Sequence, residues 1–316
     1  MNTTFLLSGG AGRIIAAIPA LEKYARLNPD DDFKVLIYGW ENLYWSHPLL
    51  QSRTYSAGTK GVFDLVIKNS ILKSPEPYHR WSYYNQKKNL VEAFDEEINN
   101  TNDHSDLASK PNLYLHSNEI TTSRKMIEAA KKQKNKNKFI VFQPYGSGIQ
   151  MMDNRPKDTS GRSLDVDDAL KLGSLLSQDA AVLYFGPNEF VHPGDNFMLN
   201  AKDIPGADLR FYMAMISECD YFVGVDTVGQ HMARAFNKPG VVVMGSTYEQ
   251  NVSYPDHFKI YRNGIQPTYN PIRIAGPDSE FADRANDGIM SFTPQQVEEI
   301  YKLTKQLQYG SSTKFL

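Results

Sequence analysis

The sequence predicts two α/β domains, each a parallel sheet wrapped by helices, facing one another across a central cleft. Three observations predict it. Residues 5–7 form a short apolar run that leads through Gly9-Gly10-Ala11-Gly12 into a stretch with helical apolar spacing, a strand, loop and helix in succession. A second such unit fills residues 220–247, where the apolar run 221–225 gives way to a polar loop, a helix over 229–236 and a further apolar run over 241–244. The length of 316 residues exceeds that at which a single core usually divides.

In the first half, Ile14, Ile15, Ile18, Leu21 and Ala25 recur at helical spacing and predict one helix over 14–27. Residues 33–38 and 63–67 read as strands. Leu90, Val91, Phe94 and Ile98 share one face of an amphipathic helix over 86–100. Residues 99–111 are polar and turn-rich, 118–132 read as helix, and the Lys/Asn-rich run 131–138 is expected to mark the boundary between domains 1–136 and 137–316. Lysines at a helix end are read as solvated, with a basic patch for an acidic acceptor as the alternative.

The second half restarts with a strand over 139–143, a long Gly/Asn/Asp/Arg loop over 144–162, a helix over 165–176 and a strand over 181–185. A helix over 208–217 then leads into the 220–247 unit. Thr293 is placed to cap a closing helix over 295–307, with Pro294 at the first helical position, where its missing N–H costs nothing. Both halves thus read as Rossmann-like α/β domains.

Bulk properties point to a soluble cytoplasmic protein. A net charge of −2 and a pI of 6.4 give no global attraction to nucleic acid or anionic membrane, and leave only local patches to consider. One cysteine, Cys219, excludes an internal disulfide and any multi-cysteine metal site, and its place beside an apolar strand predicts a buried, inert thiol. The N-terminal run has no basic flank and is too short for a signal sequence or a membrane span.

Asp226, Thr227, Gly229 and His231 fall where a parallel strand ends and a helix begins, the place where open α/β sheets bind ligands and where free N–H groups favour a phosphate oxygen. Simple helix capping by Asp226 or Thr227 is the alternative. His231, four residues after Thr227, shares its side of the helix. Gly10, Gly12 and Arg13 form a second loop that lets backbone approach a ligand, although it lacks both the third glycine and the acid of a dinucleotide fingerprint and the Gly-Lys-Ser/Thr of a P-loop. Tyr145, Gly146 and Ser147 follow a strand and Arg162 precedes a helix, so both are expected to line the cleft with Thr227, a surface arginine being the alternative for Arg162. Residues 75–84 combine Glu76 and His79 with tyrosines and Trp81, a composition suited to stacking on a sugar or base. Core packing competes with that reading, and Trp81 is expected in the core; Trp40, Tyr44 and Trp45 are open to both.

The chain resembles glycosyltransferase family 9, the ADP-heptose:lipopolysaccharide heptosyltransferase family of the GT-B fold. Residues 9–29, 112–119, 139–148, 208–247 and 290–307 carry the resemblance, and the stretch from Asp226 to Thr247 is its specific part. The resemblance implies an inverting, metal-independent transfer from a nucleotide-sugar, which is substrate and not cofactor, with the nucleotide in the second domain and the acceptor in the first. It implies that Asp226, Thr227 and His231 belong to the donor-phosphate motif and that Arg162 holds the diphosphate. A glycan or lipid-linked acceptor is the family expectation, a modified DNA base a lesser one.

Two residues depart from the family pattern. Val228 stands where the family has glycine, and Arg13 stands where many members carry an aspartate base. Arginine cannot take a proton at neutral pH. Glu76, His79, Asp95 and Asp153 are the replacement candidates, with His79 preferred. Arg13 is read instead as binding donor phosphate or an anionic acceptor; a nucleotide-sugar epimerase on the same fold is a second reading, and a nucleotide-sugar-binding protein without catalysis, which Arg13 supports, a third.

Overall fold

The computed structural model describes residues 2–152, 155–158, 160–186, 198–204, 206, 208–265 and 288–309. It divides into two compact units, Met1–His116 and Ser117–Leu316.

The first unit is built on four parallel strands, β1 (Asn2–Leu7), β2 (Lys34–Ile37), β3 (Thr54–Ser56) and β4 (Ser70–Lys73), in the order β3-β2-β1-β4. Helices α1 (Ala11–Ala16) and α2 (Ile18–Leu27) follow β1, and α3 (Trp81–Tyr84) and α4 (Leu90–Asn99) follow β4. Phe5 of β1 meets Tyr24 and Phe33 edge-on at 4.8 and 5.9 Å between centroids, an aromatic core under α2.

Four expectations need correction in this unit. The single helix predicted over 14–27 is two, broken at Ala17, because Pro19 in the first turn of α2 has no N–H to continue the ladder. Helix α1 begins at Ala11, so Gly12 and Arg13 are helical and not part of the loop. Residues 63–67 form a π-helical turn instead of a strand. Five apolar-rich residues cannot distinguish the two periods, and only Val66 turns inward. Helix α4 starts later than predicted because Asn89 accepts from Glu92 N (3.0 Å) while Glu92 Oε2 accepts from Asn89 N (2.9 Å), a reciprocal cap that excludes Lys87 and Lys88.

The second unit opens with α5 (Ser117–Lys134). The Glu119 carboxylate of α5 accepts from Arg210 of α7 (Leu209–Glu218), and Glu218 of α7 accepts from Arg124 (2.6 Å), so this helix packs with the unit that follows it. Its sheet runs β12-β11-β10-β5-β8-β9, all parallel: β5 (Phe139–Gln143), β8 (Ala181–Tyr184), β9 (Leu199–Asn200), β10 (Tyr221–Val225), β11 (Gly240–Val243) and β12 (Lys259–Tyr261). Every residue of β5, β8, β10 and β11 is buried, as parallel strands covered on both faces require. Helices α6 (Val166–Ser177) and α10 (Pro294–Tyr309) contribute Leu172, Leu176, Val297 and Ile300 to the core on one face. The loop expected over 144–162 contains an antiparallel hairpin, β6 (Ile149–Met152) and β7 (Arg155–Asp158). Helices α8 (Val228–Ala235) and α9 (Glu249–Val252) complete the unit. Among the described residues no helix is long and apolar enough to cross a membrane.

In each sheet the chain builds outward from a central strand and then crosses to that strand's other side. The crevice outside the carboxyl ends of β1 and β4, and of β5 and β10, is therefore the topological switch point where such sheets take ligands.

Candidate functional site

At the switch point of the six-stranded sheet, four loops are tied into one network. Gln143, the last residue of β5, accepts through Oε1 from Thr227 Oγ1 (2.7 Å) and Tyr212 OH (2.7 Å). Asp226, buried after β10, accepts from Gln230 Nε2 (2.7 Å) and Thr247 Oγ1 (3.0 Å), which joins the β10 and β11 loops. Ser246 N donates to Gly161 O (2.9 Å), and Gly146 N donates to Ser163 Oγ (2.9 Å). Asp158 accepts from the backbone N–H groups of Ser160 (2.7 Å) and Ser163 (3.0 Å), which fixes the turn that presents Arg162.

Helix capping is not what Asp226 and Thr227 do. Thr227 is the N-cap residue of α8, but its hydroxyl points to Gln143 and Val225 O and makes no cap bond, so the first-turn N–H groups of α8 stay without a side-chain acceptor from it. Val228 opens α8 without the positive φ that would demand glycine, so its replacement of the family's glycine is tolerated by the backbone. Gly229 is needed for close packing: a Cβ there would lie 2.5 Å from both Gln143 Oε1 and Tyr212 OH. Its place in the first turn of α8 keeps its backbone N–H among those at the helix end.

His231 is buried, with Nδ1 2.9 Å from Tyr254 OH and the two rings edge-on at 5.6 Å. Burial pushes its pKa down to about 4, with Asp226 opposing the shift, so the imidazole is neutral at pH 7. Arg262 clamps the β11 loop: Nη1 donates to Gly245 O (2.7 Å), Nη2 to Thr247 O, and Nε to Glu249 Oε2 (2.9 Å). Arg162 is half-buried, its Nε donates to Ser160 Oγ (3.2 Å), and among the described residues no carboxylate pairs with it. Ser147 is exposed, whereas Tyr145, two residues earlier, is packed into the core against Tyr184, with centroids 6.1 Å apart. Tyr145 is a core residue, and its expected donor contact is withdrawn for that reason.

The first unit carries a second polar cluster at its own switch point. Gly9, at φ +98°, turns the chain from β1, and Gly10 is the N-cap of α1. Arg13 is buried beneath this loop: Nη2 donates to Pro75 O (2.8 Å) and Glu76 Oε2 (3.0 Å), and the guanidinium lies 5.2 Å from the Tyr78 ring centroid and 5.7 Å from that of Phe94. Its Nε and Nη1, and Glu76 Oε1, make no hydrogen bond among the described residues. Trp40 Nε1 donates to Gly9 O (3.1 Å), which brings an exposed indole to the same loop.

The candidate bases fall apart on this geometry. Asp95 is fully buried and held by Lys23 Nζ (3.0 Å), His104 Nδ1 (2.7 Å) and Asn99 Nδ2 (2.7 Å), which withdraws it from any substrate. His79 is exposed at the end of the turn Pro77–His79, and Asp153 lies outside the described residues. Of the three that are described, Glu76 alone pairs with Arg13, the residue buried beneath the glycine loop. Trp81, expected in the core, is exposed with Lys87 Nζ 4.3 Å from its ring, while Tyr44 is fully buried and donates to Ile14 O (2.8 Å). Gln143, Tyr254 and Arg262 were not legible as site residues. The available signal for Gln143 was a lone polar residue closing an apolar strand; Arg262 and Tyr254 had none.

No family model matches the chain, and no curated protein matches it. Solved structures do. A glycosyl transferase family 9 structure from Veillonella parvula DSM 2008 superposes with a TM-score of 0.73 at 10% identity, over 98% of this chain and 98% of that one. The fold is that of the family 9 glycosyltransferases. The E. coli ADP-heptose lps heptosyltransferase II superposes at 0.59 with 13% identity, over 98% and 100% of the two chains. The E. coli heptosyltransferase WaaC, solved with ADP, superposes at 0.53 with 12% identity, over 97% and 100%. This family 9 fold places the residues 226–247 in the second α/β unit and the glycine loop in the first.

Proposed function

We propose that the protein is a glycosyltransferase that moves a sugar from a nucleoside diphosphate to an acceptor hydroxyl with inversion, without a resident metal, on the cytoplasmic side of the cell. The observation that carries this reading is the four-loop network at the β5/β10 switch point, which leaves the first turn of α8 and the Arg162 guanidinium available to a diphosphate. The likeness to heptosyltransferase folds, one of them solved with ADP, supports it. In this reading the acceptor oxygen attacks the anomeric carbon, the bond from that carbon to the diphosphate oxygen breaks, and Arg162 with the α8 N–H groups holds the charge that develops on the leaving group. His231, neutral at pH 7, serves as a hydrogen-bonding group and not as a cation.

The proton of the acceptor goes to Glu76. Its Oε2 is held by Arg13 and its Oε1 makes no hydrogen bond among the described residues, so in this reading the carboxylate that the family places on the helix after β1 comes from the loop after β4. The acceptor is a glycan or lipid-linked precursor. Arg13 also favours a second reading, a nucleotide-sugar-binding protein without turnover. Thermal shift with a panel of nucleoside diphosphates and their sugars tests the site. A selective shift that falls about tenfold in affinity in Arg162→Ala supports it, and no shift with any member removes it. Glu76→Gln that binds donor normally but loses turnover separates transfer from binding alone.

A further inference from the structure

Tyr254 belongs to none of the loops in the network at the β5/β10 switch point, yet it meets the imidazole there. It follows α9, and its ring stands edge-on to His231 at 5.6 Å and to Phe258 at 6.1 Å between centroids, with the Arg234 guanidinium 5.8 Å from the ring centre. The Tyr254 carbonyl accepts from His257 N and Phe258 N, both at 2.9 Å, so backbone and ring are fixed together. Its side chain is buried, and the hydroxyl has one hydrogen-bond partner among the described residues, His231 Nδ1 at 2.9 Å.

That contact admits two arrangements with opposite chemistry. If Nδ1 donates to the hydroxyl, Nε2 carries a lone pair and the phenolic O–H is left buried without an acceptor among the described residues. If the hydroxyl donates to Nδ1, the proton of the neutral ring sits on Nε2 and only a second lone pair of the phenolic oxygen goes unused. A buried donor left unpaired is the costlier omission, which selects the second arrangement. Burial also pushes the Tyr254 hydroxyl above its ordinary pKa, with Arg234 opposing, so it keeps the proton that it donates. His231 Nε2 makes no hydrogen bond among the described residues. Side chains on a helix lean toward its N-terminus, so that of His231 lies over the first turn of α8, on the side of Thr227. An anion there is repelled by a lone pair and held by an N–H. We propose that Tyr254 is a positioning residue of the donor site: by donating to His231 Nδ1 it keeps the proton on Nε2, so that an uncharged ring presents an N–H to the diphosphate of the donor. The ligand in this proposal rests on the sugar-transfer reading; the tautomer does not. The same tautomer leaves Nε2 no lone pair with which to take the acceptor's proton.

The test uses the full chain with isotope-labelled histidine, whose proton–nitrogen correlation spectrum at pH 7 separates the two tautomers; the His231 signals are assigned by their loss in His231→Gln. The parent is expected to show a neutral His231 ring protonated on Nε2. Tyr254→Phe keeps the ring, removes the hydroxyl and should let the proton pass partly to Nδ1. Calorimetry with ADP, UDP and GDP then reads the consequence. Affinity for whichever of these the parent binds should fall in Tyr254→Phe by the inverse of the remaining Nε2–H fraction, about twofold if the proton is shared equally, with affinity for the matching nucleoside unchanged. A proton on Nδ1 in the parent, or one that stays wholly on Nε2 in Tyr254→Phe, overturns the proposal and leaves the sugar-transfer reading standing. An Nε2–H tautomer in a parent that binds none of the three diphosphates overturns that reading, and with it the role given to the N–H. An equal loss for nucleoside and diphosphate in Tyr254→Phe also overturns the proposal, by reducing Tyr254 to packing.

Discussion

His231 is where a single side chain sets a measurable property of the molecule. Its unfolded-state pKa of 6.5 falls to about 4 on burial, so as pH drops through that window the unfolded chain takes up a proton that the folded chain resists. Stability that is complete above pH 6.5 is lost toward pH 4, by on the order of 3 kcal/mol from this group. Urea unfolding at pH 7 and pH 4.5 should show a smaller decline in His231→Gln than in the parent, and equal declines would mean that the imidazole is not desolvated. Gly229 makes a second prediction at this scale. A methyl group 2.5 Å from Gln143 Oε1 and Tyr212 OH overpacks the helix against the strand, so Gly229→Ala should cost about 1–3 kcal/mol in chemical denaturation. Neither packing role was legible from residue type: the burial of His231 and the contact of Gly229 with Gln143 and Tyr212 come from residues distant in sequence.

Helices α2 and α4 are tied by charge as well as by apolar contact. Lys23 is buried and donates to Asp95 (3.0 Å) and Asp103 O (2.7 Å) and pairs with Asp106 (2.7 Å); these partners raise its pKa against the opposing effect of burial. Lys23→Met would strand the fully buried Asp95 beside His104, and a loss of about 3–5 kcal/mol is expected, read as a lowered denaturation midpoint. The loop after β11 depends on Arg262 in the same way. Arg262→Ala removes donors from Gly245 O, Thr247 O and Glu249 together. Thr247 should then release Asp226, so nucleotide affinity should fall although Arg262 touches neither Asp226 nor α8; an unchanged dissociation constant by calorimetry would show that the loop holds its shape without the clamp.

The molecule as a whole offers two independent reporters. All three tryptophans, Trp40, Trp45 and Trp81, lie in the first unit, and the lone Cys219 lies in the second. Cys219 is buried, and burial pushes its thiol up to about 12, so it should not react with a disulfide reagent at pH 8 until the second unit opens. Because each unit has its own sheet, urea unfolding followed by tryptophan fluorescence and by Cys219 labelling should give two different midpoints. Coincident midpoints would show that the two units unfold as one.

Local pattern alone was enough for the elements that carry a strong period or a fully buried run. Residues 139–143 and 221–225, rich in β-branched and aromatic residues and bounded by turn signals, read as interior strands, and the polar residues that follow the second fall at its carboxyl end, where ligands bind. Short or mixed segments could not be resolved that way: residues 63–67 fit two periods equally, and β4, with only two adjacent apolar residues and no buried one, is too short to show a period. What each polar side chain does was decided only in three dimensions, because hydrogen bonds such as Gln143 to Thr227 and Arg13 to Glu76 join residues 84 and 63 positions apart. Sequence spacing records the period of an element, and it holds no information about which side chain from a distant strand will meet its loops.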